Sequence, residues 1–200
     1  MDQFEYLFLI GLRQANFFRI FVHNHSFISG CGVLVYSMKI GVISDTHNTF
    51  DSVLEEFLAP CDEVWHAGDI GSLELADRIS AFKPLRAVYG NIDGGIIRRV
   101  YHEVALFEVE GVKVLMTHIG GYPRHYSPKA LQYIHSSKPK IFIAGHSHIL
   151  KVMYDQVYDM LHINPGAAGN YGIHSVRTAI RFDIDNGEIK NMEIGEWQRN

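Results

Sequence analysis

The chain has 200 residues, a formal charge of −4 and a mean hydropathy of −0.01, with 47% hydrophobic and 20% charged residues. A chain of this length buries roughly 70% of its unfolded surface, and the composition excludes wholesale disorder and a polytopic membrane protein. The acidic balance leaves no basic face to hold long nucleic acid by counterion release. Two cysteines, Cys31 and Cys61, without a CxxC, exclude a disulfide framework and point to a reducing, cytoplasmic compartment.

Residues 1–37 differ from the rest, with no lysine and abundant phenylalanine. Asp2 and Glu5 argue against a signal peptide, whose start is basic. His23-Asn24-His25-Ser26 interrupts the uncharged stretch Ile20–Met38, which a span of about 20 predominantly apolar residues does not tolerate. No membrane association is expected. Met38 is followed at once by a strand pattern, so 1–37 is expected to lie outside the domain, as an upstream mis-called start would place it. The domain is then 38–200.

From Met38 onward short apolar runs alternate with helical patterns. Lys39–Ser44 reads as a strand and Phe50–Leu58 as a helix, with apolar residues at 3–4 spacing. Glu63–Ala67 is a strand; Leu73–Phe82 is a helix capped by Ser72; Leu85–Tyr89 is a strand after Pro84. This rhythm predicts a parallel sheet covered by helices. His102–Glu110 and Val112–Thr117 flank Gly111 as a hairpin. Pro128–Ser136 is a helix with Ser127 capping and Pro at its first position. Ile141–Ala144, Leu150–Tyr154, Val157–Ile163, Val176–Ile184 and Glu188–Ile194 are strands, the last two joined by an Asn186-Gly187 turn. Two mixed sheets packed face to face, with helices outside, accommodate both halves.

The sequence holds twelve histidines, and their placement matters more than their number. Asp45-Thr46-His47 follows the first strand, Gly68-Asp69 the second and Gly90-Asn91-Ile92-Asp93 the third. His118 follows Val112–Thr117, and Gly145-His146-Ser147-His148 follows Ile141–Ala144. Sites assemble at the carboxyl ends of strands in open α/β sheets. The donors are oxygen and imidazole without thiolate, which suits Mn, Fe, Zn, Ni or Co. Asp45, His47, Asp69, Asn91, His118, His146 and His148 are too many for one open site. With Asp69 bridging, each of two metals receives four protein ligands. Paired divalent ions clamp the attacking and leaving oxygens of a phosphoryl displacement. Gly68, Gly90 and Gly145 each precede a ligand, where the backbone must turn or approach closely.

The series DxH, GD, GN, H and GHxH resembles the signature of the calcineurin-like metallophosphoesterases. The start MKIGVISDTHN and the late Asn164-Pro165-Gly166 look like the YfcE-like phosphodiesterase branch. The resemblance spans Met38 to about Glu193. It implies a four-layer α/β/β/α sandwich and two divalent metals, with manganese favoured over Zn, Ni, Fe or Co. It also implies a first metal on Asp45, His47, Asp69 and His148, and a second on Asp69, Asn91, His118 and His146. The implied activity is hydrolysis of a small phosphate ester, most readily a phosphodiester, with a hydroxide held by the two metals as nucleophile. Two positions depart from the wider pattern. Ile92 stands where many members carry a general-acid histidine, so leaving groups of low pKa are favoured. His118-Ile119-Gly120 stands where many have HisGlyHis.

Beside the ligands, His66 and Asp93 read as supporting residues, and Asn48 as a phosphate contact or a helix cap. Arg124 or His125, in the loop Gly120–Tyr126, is a candidate phosphate contact or replacement acid. His102, His135, His162 and His174 have no motif context and read as ordinary. The rival readings are a protein-interaction scaffold, since one retromer subunit shares this fold, and a phosphomonoesterase or nucleotide hydrolase. The sequence leaves a homo-oligomer open.

Overall fold

The protein is described here by a computed structural model, which places residues 37–199. The expectation for 1–37 therefore lies, except for Ser37, outside the described residues. Strand β1 (Ser37–Ile43) begins two residues earlier than read, because Ser37 and Met38 already pair with Asp185 and Ile184.

One sheet has the order β12-β11-β1-β2-β3, built from β1, β2 (Glu63–His66), β3 (Leu85–Ala87), β11 (Val176–Asp185) and β12 (Glu188–Gln198). Its β1, β2 and β3 are parallel, while β11 and β12 are antiparallel additions. The other sheet has the order β4-β5-β8-β10-β9, built from β4 (Val104–Val109), β5 (Val112–Thr117), β8 (Ile141–Ile143), β9 (Leu150–Asp155) and β10 (Met160–Pro165). Here β5, β8 and β10 are parallel, with antiparallel strands at both edges.

The central strands read as continuous apolar runs because both of their faces are covered. Ile40, Val42, Trp65, Val114, Met116, Ile141, Ile143 and Phe182 meet between the two sheets. Alternate residues of the first sheet, Ile43 and Val64, pack on helices α1 (Ser52–Leu58) and α2 (Leu73–Phe82) through Leu54, Leu58 and Ile79. Leu115 and Phe142 of the second sheet pack on α4 (Pro128–Ser137) through Ala130 and Ile134. The layers are therefore helix, sheet, sheet, helix, the expected four-layer sandwich. Among the described residues no helix is long and apolar enough to cross a membrane.

Local signals explain most boundaries. Ser72 and Ser127 accept hydrogen bonds from Leu75 N and Ala130 N at 3.2 Å, capping α2 and α4. Asn186 and Gly187 have φ of 49° and 81°, the two positive values that a two-residue hairpin turn requires. Helix α1 starts at Ser52 rather than Phe50, because Asp51 is its cap and accepts from Leu54 N at 3.2 Å. The bidentate pair from Arg177, at 2.6 and 3.1 Å, holds the Asp51 carboxyl below its usual range. Two features were not read from the sequence: a one-turn helix α3 (Ile97–Val100), and a small hairpin of β6 (Gly121–Tyr122) and β7 (His125–Tyr126).

Candidate metal centre

The carboxyl ends of β1, β2, β3, β5 and β8 converge at one edge of the sandwich. The loops after β1 and β2 run side by side: Asp45 N donates to Gly68 O at 2.9 Å, and His47 N to Asp69 O at 3.1 Å. The second sheet joins them through His118, whose Nδ1 lies 2.7 Å from Ala67 O, and through His146 N, which donates to Asp45 Oδ2 at 3.1 Å. Asp45, His47, Asp69, His146 and His148 all have φ between 43° and 69°. Side chains rarely occupy this region, and such strain gathers where the surroundings dictate the backbone. Asp93 braces the turns, accepting from Gly90 N at 2.8 Å, Gly71 N at 2.9 Å and Ile70 N at 3.1 Å.

Of the three glycines singled out, only Gly68 has a positive φ. Gly90 and Gly145 are needed for space instead. A Cβ on Gly90 would meet Asp69, including its Cγ at 2.8 Å. One on Gly145 would meet Ser44 Oγ, with Ala67 O at 2.9 Å and Asp45 Oδ2 at 3.0 Å.

The side chains form two tight groups: Asp45, His47 and His148, and Asp45, Asp69 and His118. Asp45 is fully buried, and Asp69 and His118 nearly so. The Asp69 carboxylate spans both groups, with Oδ1 3.3 Å from His118 Nε2 and Oδ2 3.8 Å from His47 Nε2. Asn91 Oδ1 lies 3.1 Å from His118 Nε2.

The hydrogen bonds decide what these atoms can accept. Ala67 O is a carbonyl, so His118 Nδ1 must be the donor. In the neutral ring the Nε2 lone pair then faces Asp69 Oδ1 and Asn91 Oδ1. His174 Nε2 donates to Gly169 O at 3.0 Å, leaving its Nδ1 to accept from His148 Nδ1 at 3.1 Å. The His148 Nε2 lone pair therefore faces Asp45 Oδ1 at 3.2 Å. Asp45 Oδ1 and His47 Nε2 are buried without a hydrogen-bond partner. Lone pairs thus face carboxylate oxygens on both sides of Asp45, an arrangement that a cation relieves. The donor set fits divalent metals. Burial acts to lower the His118 pKa, but its hydrogen bond to Asp69 and the charges of Asp45 and Asp69 outweigh burial and raise it. The two aspartates thus favour positive charge at this position, which a cation there would supply. Burial leaves the His47 pKa below its ordinary value despite Asp69 and Asp45.

The remaining sequence candidates are placed as follows. His146 is exposed, with its ring centroid 5.2 Å from that of His118 and outside both tight groups. Ile92 is 46% exposed, and its N–H donates to Asp69 Oδ1 at 3.0 Å. Arg124 and His125 sit exposed at the tip of the β6–β7 hairpin, where His125 packs on Tyr122, and the tight groups include neither. Asn48 does not cap α1; its N–H donates to Ile70 O. His66 is fully buried, accepting from Gly68 N at 3.1 Å on Nδ1 and facing Thr46 Oγ1 at 2.8 Å on Nε2. The residues that sequence reasoning missed are His174, which fixes the His148 ring, and Tyr171, whose ring lies 4.8 Å from His47. Neither stands in a motif, and no local signal marks either residue.

The calcineurin-like phosphoesterase superfamily domain model matches residues 38–187. A phosphodiesterase of Methanocaldococcus jannaschii is 29% identical over 176 residues, covering 78% of this chain and 99% of that protein. The "Probable metallophosphoesterase" of Methanothermobacter thermautotrophicus is 30% identical over 139 residues, 65% of this chain and 77% of that protein. Among solved structures, an archaeal phosphodiesterase matches with a TM-score of 0.63 and 24% identity, over 79% of this chain and all of that one. Vps29 of Entamoeba histolytica, complexed with zinc, matches at 0.62 and 19%, over 82% of this chain and all of that one. The structural likenesses reflect the fold. With the family model spanning the whole run of strand-end donors, the chain belongs to the calcineurin-like phosphoesterase superfamily.

Proposed function

We propose that this chain is a phosphodiesterase working with two divalent cations, manganese first among Mn, Zn, Ni, Fe and Co. The observation that carries the reading is the pair of buried acceptor-only groups, in which the His118 and His148 lone pairs face Asp69 and Asp45. Asp45, His47, Asp69 and His148 would hold one cation; Asp69, Asn91, His118 and His146 the other. Bound there, the cations supply positive charge that acidifies water and stabilises charge developing on phosphoryl oxygens. Asn91 contributes a neutral amide, so only the two aspartates offset that charge. His118 and His148 are each locked by the hydrogen bond on Nδ1, so neither ring must reorganise to bind.

Ile92 shapes the chemistry by what it lacks. Its side chain has no ionisable proton, and its amide is committed to Asp69. General acid help, worth about 10²–10⁴-fold, is absent at that position. Aryl and other low-pKa leaving groups are the substrates for which its absence costs least. The full-length relative named a phosphodiesterase supports the diester over the monoester.

The test is hydrolysis of bis(p-nitrophenyl) phosphate by the chain reconstituted with Mn²⁺. Turnover that vanishes in Asp69→Ala and His146→Ala is expected; unchanged turnover in either variant contradicts the assignment. Absence of both turnover and bound metal would favour an assembly role.

A further inference from the structure

The Asn91 side chain is not held by its own contacts. Its Oδ1 faces the His118 Nε2 lone pair at 3.1 Å, and two acceptors do not bond each other. No other hydrogen bond reaches the amide among the described residues. Where Asn91 points is therefore set by the turn Gly90–Asp93 that carries it. The N–H side of this turn is held from within the protein. Gly90 N donates to Asp93 Oδ2 at 2.8 Å, and Ile92 N to Asp69 Oδ1 at 3.0 Å. The carbonyl side is held from without, by a single residue.

Arg98, on the one-turn helix α3, donates from Nε to Asp93 O and from Nη2 to Asn91 O at 3.3 Å and Gly90 O at 3.4 Å. Its guanidinium lies over the Tyr89 ring, with Cζ 4.7 Å from the centroid. Tyr89 is fixed in turn: its hydroxyl donates to Glu103 Oε2 at 3.1 Å, and Lys129 of α4 pairs with that oxygen at 2.7 Å. Arg98 is exposed, so water is the competing donor for the three carbonyls. Separate waters would satisfy them without relating one to another. A guanidinium is planar, always charged and carries its donors in a fixed fork, so it sets three carbonyl directions at once. What Arg98 adds is orientation rather than burial.

We propose that Arg98 is a positioning residue for the metal centre: its guanidinium gathers the carbonyls of the Gly90–Asp93 turn and so holds the Asn91 amide toward His118, for the cation those two residues would share. The inference rests on the two-cation reading, but the hold on the turn is measurable without metal. In metal-stripped protein, amide hydrogen exchange at Ile92 should quicken about tenfold in Arg98→Met, while Val42 and Met116 in the sheets exchange as in wild type. Isothermal titration with Mn²⁺ should show one class of site weakened about 10–100-fold, the same class that Asn91→Ala weakens, beside one unchanged. Arg98→Lys keeps the charge without the fork and should behave like Arg98→Met. In Asn91→Ala the amide is already gone, so adding Arg98→Met should change the weakened class by less than about twofold, whereas a general loosening of the fold would add its full effect. Unchanged exchange at Ile92, no weakening of either class, equal weakening of both, full recovery in Arg98→Lys or additive loss in the double variant would overturn the proposal. If wild type binds two Mn²⁺ in any of those cases, the Arg98 assignment alone fails. If wild type binds fewer than two while Ile92 still exchanges faster in Arg98→Met, the two-cation reading fails and the hold of Arg98 on the turn stands.

Discussion

His148 is held by a partner 26 positions away. His174 anchors on Gly169 O and accepts the His148 Nδ1 proton, which aims the Nε2 lone pair at Asp45. Partners of this kind typically contribute 10–100-fold to metal affinity. His174→Phe is therefore expected to weaken, by about that factor, the one cation that His148 faces. Isothermal titration with Mn²⁺ reads this as one weakened class of site beside one unchanged; two unchanged classes would contradict the role. Gly90→Ala tests the steric argument. The added Cβ would press on Asp69, so metal affinity should fall and stability drop by about 1–3 kcal/mol, measured by titration and urea unfolding. The gathering of Asp45, His47, Asp69, His118 and His148 was legible in the sequence because each stands just beyond a strand end. His174 was not, because a histidine in an irregular segment acquires its role only from what the fold places opposite it.

Helices and strands were read well where they were long or capped. Ser72 and Ser127 marked two helix starts, and Asn186-Gly187 marked a hairpin. The misses have physical causes. Helix α3 is one turn long, too short for a period to show, and β6 and β7 are two residues each. The start of α1 was misplaced because Phe50 belongs to the apolar cluster without belonging to the helix.

Strand β10 carries a further consequence. Burial lowers the His162 pKa to about 4; Lys151 acts in the same direction and Asp155 against it. The unfolded chain, with an ordinary histidine pKa near 6.5, binds this proton over a window in which the folded chain does not. Stability from this group is therefore intact above about pH 6.5 and declines as the pH falls toward 4. His66, also lowered to about 4 by burial, has the same sign. His162→Phe removes only the first contribution. The stability of this variant relative to wild type should rise between pH 7 and pH 5 by on the order of 2 kcal/mol, in metal-stripped protein followed by urea unfolding. A difference constant over that range would contradict the neutral, unpaired imidazole.

The two sheets were legible because strands such as β1, β2, β5 and β8 are apolar runs in a parallel half and a strand-rich half, which two mixed sheets with helices outside accommodate; the four layers came with the family resemblance. The convergence of both sheets on one centre was legible only as an order of motifs. His118 and His146 come from the second sheet, Asp45, His47, Asp69 and Asn91 from the first, so metal bound as proposed would tie the layers together. Ligation of the folded state alone stabilises by about 2.7 kcal/mol at one hundred times Kd, so Mn²⁺ should raise the thermal midpoint and a chelator should reverse the gain. The decisive measurement is the number of metal ions bound per chain after equilibrium dialysis of stripped protein against Mn²⁺. Two per chain in the wild type, reduced in Asp69→Ala, is the expected result. None or one in the wild type would contradict the two-cation centre.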